Sequence, residues 1–164
     1  MAPVGTDAIT GAGWQVADLA SRADCLPALS RLLESAWPDW YGPGGQGRAE
    51  ADLAARCRRA GLPFGVVALS REGPVGTGAL DAASYGASDP TETPWIVGLV
   101  VAPSWRGRGI ATAIVAALED AARAKGWSRL HCATVAGEGI LVRRGWVRRG
   151  VADDGRHGLW TCNL

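Results

Sequence analysis

The stretch Arg106-Gly107-Arg108-Gly109-Ile110-Ala111-Thr112 is where residue types and spacing point most directly to chemistry. Two glycines let the backbone turn tightly and remove side chains that would block an approaching phosphate. A helix that starts there leaves its first N–H groups unpaired and carries partial positive charge at that end. A diphosphate fits such a place. Arg106 and Arg108 add charge-assisted donors. For proton transfer, the candidates near a cleft at this unit are Glu92, just before an apolar segment, and His131, on a neighbouring one. Each also has a plainer reading, Glu92 as a solvated loop acid and His131 as a hydrogen-bonded sheet residue.

Two familiar phosphate motifs are excluded. No G-x-x-x-x-G-K-[ST] string occurs. Gly107-x-Gly109-x-x-Thr112 resembles a dinucleotide fingerprint only on the surface. That motif expects Gly or Ala at its third position and an acid about 20 residues later. Leu130-His131-Cys132-Ala133-Thr134 contains no acid, and the motif follows a meander instead of opening a βαβ unit.

The elements around the motif read as mixed α/β. Trp14 to Leu19 alternates as an edge strand. A helix is expected from an Asp24 cap to about Ala36, and a second from Ala49 to Ala60, closed by Gly61. Between them, Trp37, Trp40 and Tyr41 line an acceptor pocket or pack a loop onto the core. Phe64 to Ser70 and Val75 to Ala83 form a hairpin around Arg71-Glu72-Gly73-Pro74. A polar loop, Ser84 to Thr93, leads into Trp95 to Val101, whose apolar run predicts a central strand, with Gly98 as a bulge. The motif helix runs from about Gly107 to Lys125, and Gly126 ends it. Strand Arg129 to Val135, a short helix Glu138 to Arg144 with Glu138 in its first turn, and strands Trp146 to Val151 and His157 to Cys162 complete the order.

Bulk properties narrow the function classes. The 164 residues, 48% hydrophobic, suit one domain with a sizeable core. A net charge of +1 argues against a nucleic-acid-binding surface. Asp7 and Asp18 in the N-terminal region do not fit a signal peptide, and no run reaches membrane-spanning length. A cytoplasmic location is expected, with no membrane partner. Cys25, Cys57, Cys132 and Cys162 lack metal-ligand spacing, as do His131 and His157, so four reduced thiols and no metal are expected. The basic run Arg143, Arg144, Arg148 and Arg149 reads as a solvated face or a contact for an acidic group.

The stretch from Pro94 to Trp146 resembles the GNAT acetyltransferase superfamily. Arg106, Gly109 and Ala111 fill the motif A pattern [Q/R]-x-x-G-x-[G/A], and Arg143-Arg144-Gly145-Trp146 matches the closing segment of many members. The resemblance implies a mostly antiparallel sheet with one splayed strand pair and helices on both faces. It implies acetyl-CoA as cosubstrate. Backbone groups of Leu99, Val100 and Val101 would bond the pantetheine arm, and amides from Gly107 to Thr112, through Arg108, Ile110 and Ala111, would hold the pyrophosphate. The Gly98 bulge would free N–H groups to stabilise negative charge developing on the thioester carbonyl. The family's usual Tyr and Glu positions are occupied by Leu141 and Trp95, which leaves Glu92 and His131 as the expected proton-transfer residues.

Three functions follow in rank: acetylation of a primary amine of a small molecule, acetylation of a protein or peptide, and non-catalytic acyl-CoA binding. The terminal strands also offer an edge through which a homodimer could pair.

Overall fold

The near-continuous apolar runs become three strands covered on both faces: β2 (Phe64–Ser70), β3 (Gly73–Asp81) and β4 (Trp95–Val101). The computed structural model describes residues 12–84 and 87–164. Its other strands are β1 (Trp14–Asp18), β5 (Arg129–Thr134), β6 (Val147–Val151) and β7 (Gly158–Asn163). They form one sheet in the order β1-β2-β3-β4-β5-β7-β6. Every neighbouring pair is antiparallel except β4 with β5. Those two are joined by the crossover helix α4 (Ile110–Ala124), the kind of connection that a parallel pair requires.

The helices in chain order are α1 (Leu26–Ala36), α2 (Pro38–Tyr41), α3 (Ala49–Arg56), α4 and α5 (Glu138–Arg143). Leu29, Leu33 and Leu53 cover one sheet face, packed on Val67, Leu69 and Val100. On the other face Ile114, Val115 and Leu118 of α4 join Val66, Leu80 and Ile96, with Leu141 from α5. Burying each such side chain is worth about 1.5–3 kcal/mol, so α4 is fixed firmly to the sheet. Gly78 permits the close approach: a Cβ there would lie 2.8 Å from Ile114 Cγ2.

Local boundaries differ from expectation at three helix ends. Asp24 does not cap α1. It lies in a 3-10 turn, Ala23–Cys25, with its carboxylate paired to Arg22 at 2.9 Å, and α1 starts at Leu26. Helix α3 stops at Arg56 instead of Ala60, because the backbone turns out at Cys57, and Gly61 lies in the following loop. Helix α4 begins at Ile110, since Gly107 and Gly109 both have positive φ. The loop Ser84 to Thr93 is described apart from residues 85 and 86, and Asp7 lies outside the described residues. Among the described residues, no helix is long and apolar enough to cross a membrane.

Candidate active site

Strands β4 and β5 pair at only two positions, Trp95 with His131 and Ile96 with Cys132. Both lie at the N-terminal ends, where His131 N also donates to the Pro94 carbonyl at 3.0 Å. Past Ile96 the strands separate. The cause lies on the other edge of β4, where the register with β3 shifts between Thr77 and Ala79 and Gly98 takes φ 60°. The extra residue bends the strand away from β5. A cleft of about 1430 Å³ opens between Val97–Val101 and Ala133–Gly137.

Hydrogen-bond alternation settles which backbone groups face this gap. Ala102 N donates to Val75 O at 2.8 Å. The next pair bonded to β3 is therefore Val100 with Thr77, and Val101 between them turns its N–H and C=O toward the gap. Gly98 and Leu99 together face the single Gly78, the extra residue of the bulge. Of Leu99, Val100 and Val101, all of which border the cleft, Val100 departs from the expected backbone role, because β3 takes its polar groups.

At the C-terminal end of β4 a 3-10 turn, Pro103–Trp105, leads to the glycine loop. Gly107 and Gly109 have φ of 76° and 80°, and Gly109 caps α4 with no side-chain hydrogen bond to its first turn. A Cβ at either glycine would meet nothing within 4 Å, so the loop is open and its glycines serve the backbone turn. Arg106, Gly107, Gly109, Ile110, Ala111 and Thr112 border the cleft. Arg106 Nε donates to Val101 O at 3.2 Å, which draws the loop back onto the strand. Arg108 differs. Its guanidinium lies 4.3 Å over the Trp105 ring, and its side chain is outside the cleft.

The opposite wall comes from α2 and α3. Trp37, Trp40 and Tyr41 border the cleft, with both tryptophan rings edge-on to Tyr41. Tyr41 Oη donates to Asp52 Oδ2 at 2.7 Å, and burial, then that carboxylate, pushes the phenol up to about 12. Arg56, only 6% exposed, ends α3 against the β4 bulge. A further wall comes from the β6–β7 connection, where His157 and Arg156 reach the cleft. Asp154 Oδ1 accepts the backbone N–H groups of Arg156 and His157, and its other oxygen pairs with His157 Nδ1. The Asp154 carboxyl is held down at about 2, chiefly by those two backbone donors.

Glu92 and His131 come together elsewhere. They border a separate depression of about 470 Å³ with Asp89, Trp127 and Arg129, at the N-terminal ends of the parallel strands. His131 is buried with its ring 5.1 Å from Trp95, and burial is the main cause drawing its pKa down. Neither residue borders the large cleft. Leu141 does, as an apolar wall, while Trp95 is buried and donates through Nε1 to Glu92 O at 2.6 Å.

The basic run is divided among several partners. Arg143 borders the cleft, Arg144 pairs with Glu119 at 2.6 Å, and Arg148 faces Glu138 at 3.9 Å. Arg149 Nε donates to Thr161 Oγ1 at 2.9 Å. The residues that sequence reasoning missed are Arg56, Asp52, Asp154 and His157. Only their spacing gave a signal: Asp52 and Arg56 are one helical turn apart, and Asp154 sits three residues before His157 in a turn that contains Gly155.

A family model described as the acetyltransferase (GNAT) family matches residues 29–143. No curated protein sequence matches the chain. Among solved structures, the aminoglycoside 6'-N-acetyltransferase from Enterococcus faecium superposes with a TM-score of 0.71 at 16% identity, over 91% of this chain and 96% of that one. An aminoglycoside 6'-N-acetyltransferase complexed with coenzyme A gives 0.66 at 16% identity, over 84% and 89%. N-acetylglutamate synthase from Neisseria gonorrhoeae, complexed with coenzyme A and N-acetyl-glutamate, gives 0.65 at 16% identity, over 92% of this chain and 35% of that one. These likenesses at low identity concern the fold, and the family match spans most of the sequence. With its parted parallel strands and glycine loop at the start of α4, the chain belongs to the GNAT acetyltransferase family.

Proposed function

We propose that the protein transfers the acetyl group of acetyl-CoA to a primary amine of a small molecule by direct attack on the thioester. The observation that carries this reading is the continuity of the cleft: the gap between β4 and β5 runs into the open N-terminus of α4. One end of that path offers free amides and an arginine, which suit a pyrophosphate. The gap itself offers strand backbone, which suits the amide-bearing pantetheine arm. The uncapped α4 and the open loop at Gly107 and Gly109 fit such a group. When bound, acetyl-CoA supplies an activated acyl group with a thiolate as its leaving group.

The amides of Gly107 to Thr112 and the Arg106 side chain bind the phosphates. Val101 N–H, facing the gap, would orient the arm, and N–H groups at the Gly98–Leu99 bulge would stabilise negative charge developing on the thioester carbonyl. Asp154 holds the His157 ring at the cleft through Nδ1. His157, which borders the cleft, accepts the proton of the acceptor ammonium, whereas Glu92 and His131 border the separate depression. Cys132 also borders the cleft, but burial pushes its thiol up to about 12, so it stays protonated and offers no covalent route.

The test is calorimetric titration with acetyl-CoA, CoA and NAD, followed by an amine panel monitored by thiol release. Saturable binding of both CoA species without NAD, together with turnover of a free amine, is the expected result. Absence of CoA binding refutes the proposal. CoA binding without turnover of any amine reduces it to a non-catalytic acyl-CoA module.

A further inference from the structure

We propose that Arg56 is the acceptor-recognition residue and binds a carboxylate, which makes the acceptor an apolar amino carboxylic acid, not a plain amine. This rests on the acetyltransferase reading above and narrows its acceptor class.

Arg56 carries its charge into the protein without a carboxylate bonded to it. An arginine buried to this degree is ordinarily paired. Arg56 has no ion pair among the described residues, and its Nη1 has no hydrogen-bond partner. The nearest acid along α3, Asp52, is engaged by the Tyr41 hydroxyl at 2.7 Å. The Tyr41 phenol also interacts with Arg56, which leaves Nη1 as the buried donor without a partner. A buried guanidinium donor left unmet is costly, and an anion that arrives with the ligand would meet it.

The position of Arg56 identifies which ligand. A Cβ placed on Gly98 would stand 2.7 Å from Arg56 Nη1 and 3.3 Å from Cζ and Nη2. The guanidinium thus lies directly against the bulge, with only glycine between it and the strand. The phosphate cradle begins at Arg106, beyond the end of β4, and extended strand rises about 3.3 Å per residue, so Gly98 lies roughly 10 Å short of Val101. The anion at Arg56 is therefore not a cofactor phosphate. It belongs to the molecule that approaches the bulge from the α2–α3 side.

The chemistry of that side defines the rest of the ligand. A planar fork of N–H donors matches a carboxylate in two-point contact. Trp37, Trp40 and Tyr41 line the same cleft, and their rings suit an aromatic or aliphatic body. Arg143 and Arg156 also border the cleft, as do Asp81 and Asp52, the latter engaged by the Tyr41 hydroxyl. An α-amino acid places its amine two bonds from the carboxylate carbon, close enough for both groups to lie at one bulge.

The experiment uses the full chain loaded with CoA. Calorimetry measures binding of phenylalanine, leucine, tryptophan and methionine, each beside its amide and its decarboxylated amine, to wild type, Arg56→Gln and Arg56→Lys. At least one acid is expected to bind wild type 10-fold or more tightly than its amide and amine. Arg56→Gln should erase that preference by weakening the acid alone, and Arg56→Lys should keep part of it. The lysine variant, with a melting curve for each protein, serves if the glutamine variant does not fold. Equal binding of acids, amides and amines, an equal loss of all three in Arg56→Gln, or no binding of any acid overturns the inference. CoA affinity on the same samples is read separately: CoA bound with no acid bound defeats only the inference, whereas absence of CoA binding defeats the acetyltransferase reading.

Discussion

Glu119→Ala is expected to lower the melting temperature by about 6–12 °C, from a loss of about 3 kcal/mol at roughly 2–4 °C per kcal/mol for a chain of this length. Glu119, 3% exposed on α4, accepts from Arg144 Nε at 3.0 Å and Nη2 at 2.6 Å and from Trp146 Nε1 at 2.9 Å. Breaking a buried pair costs about 3–5 kcal/mol, and the lower end applies because Arg144 is partly exposed and can recover water. The orphaned indole N–H of buried Trp146 has no such escape.

The same carboxylate gives an acid signature. Burial alone would raise its pKa, but the hydrogen bonds from Arg144 and Trp146 outweigh burial and bring it below its usual value. A depressed carboxyl contributes stability above its unfolded pKa and loses it as pH falls through the folded one. Differential scanning calorimetry from pH 7 to pH 3 should therefore show a steeper fall for wild type than for Glu119→Gln below the ordinary carboxylate range. A melting temperature unchanged in Glu119→Ala, or identical acid slopes for wild type and Glu119→Gln, would refute the reasoning.

Gly109→Val should abolish measurable acetyl-CoA binding by calorimetry while circular dichroism stays native, since a β-branched residue resists the φ of 80° that shapes the loop. His157→Ala should lower kcat by about 10²–10⁴ with CoA affinity unchanged, and a fall in CoA affinity instead would make the residue a cofactor contact. Arg108→Ala should leave CoA affinity within about two-fold, because its guanidinium is engaged over Trp105 outside the cleft. Trp40, 47% exposed, should raise the acceptor KM when replaced by Ser, with a melting temperature shift below about 2 °C.

What the sequence made legible follows the range of the physics behind it. Strands β2 to β4 carry unbroken apolar runs, and α4 has a clear apolar stripe, so their order and the bulge at Gly98 could be read locally. The glycine loop was legible because positive φ leaves a residue-type signature. Helix ends were less so. Asp24 looked like a cap, yet its carboxylate found Arg22 two residues away, a competition that propensity does not contain. The acceptor wall was illegible for a different reason. Arg56 is remarkable only through Gly98, far along the chain, and His157 only through a turn that brings it to the cleft. Glu92 and His131 are neighbours, as their positions around β4 and β5 suggested, but at the closed end of the strand pair. Sequence proximity to a strand did not tell which end of it would open.

The two-rung join between β4 and β5 also makes the sheet a pair of plates. One plate is the meander β1 to β4, and the other is β5, β7 and β6, each cohesive through its own antiparallel ladder. Besides those two rungs, α4 with its Glu119 clasp to Arg144 and Trp146 fastens plate to plate. A molecule seated in the gap touches both plates and works as a latch. At a concentration 100 times its Kd such a latch adds about 2.7 kcal/mol to the folded state by mass action. The two paired positions between β4 and β5 are thus the shortest ladder in the sheet, and they lie beside the cleft that a ligand would bridge.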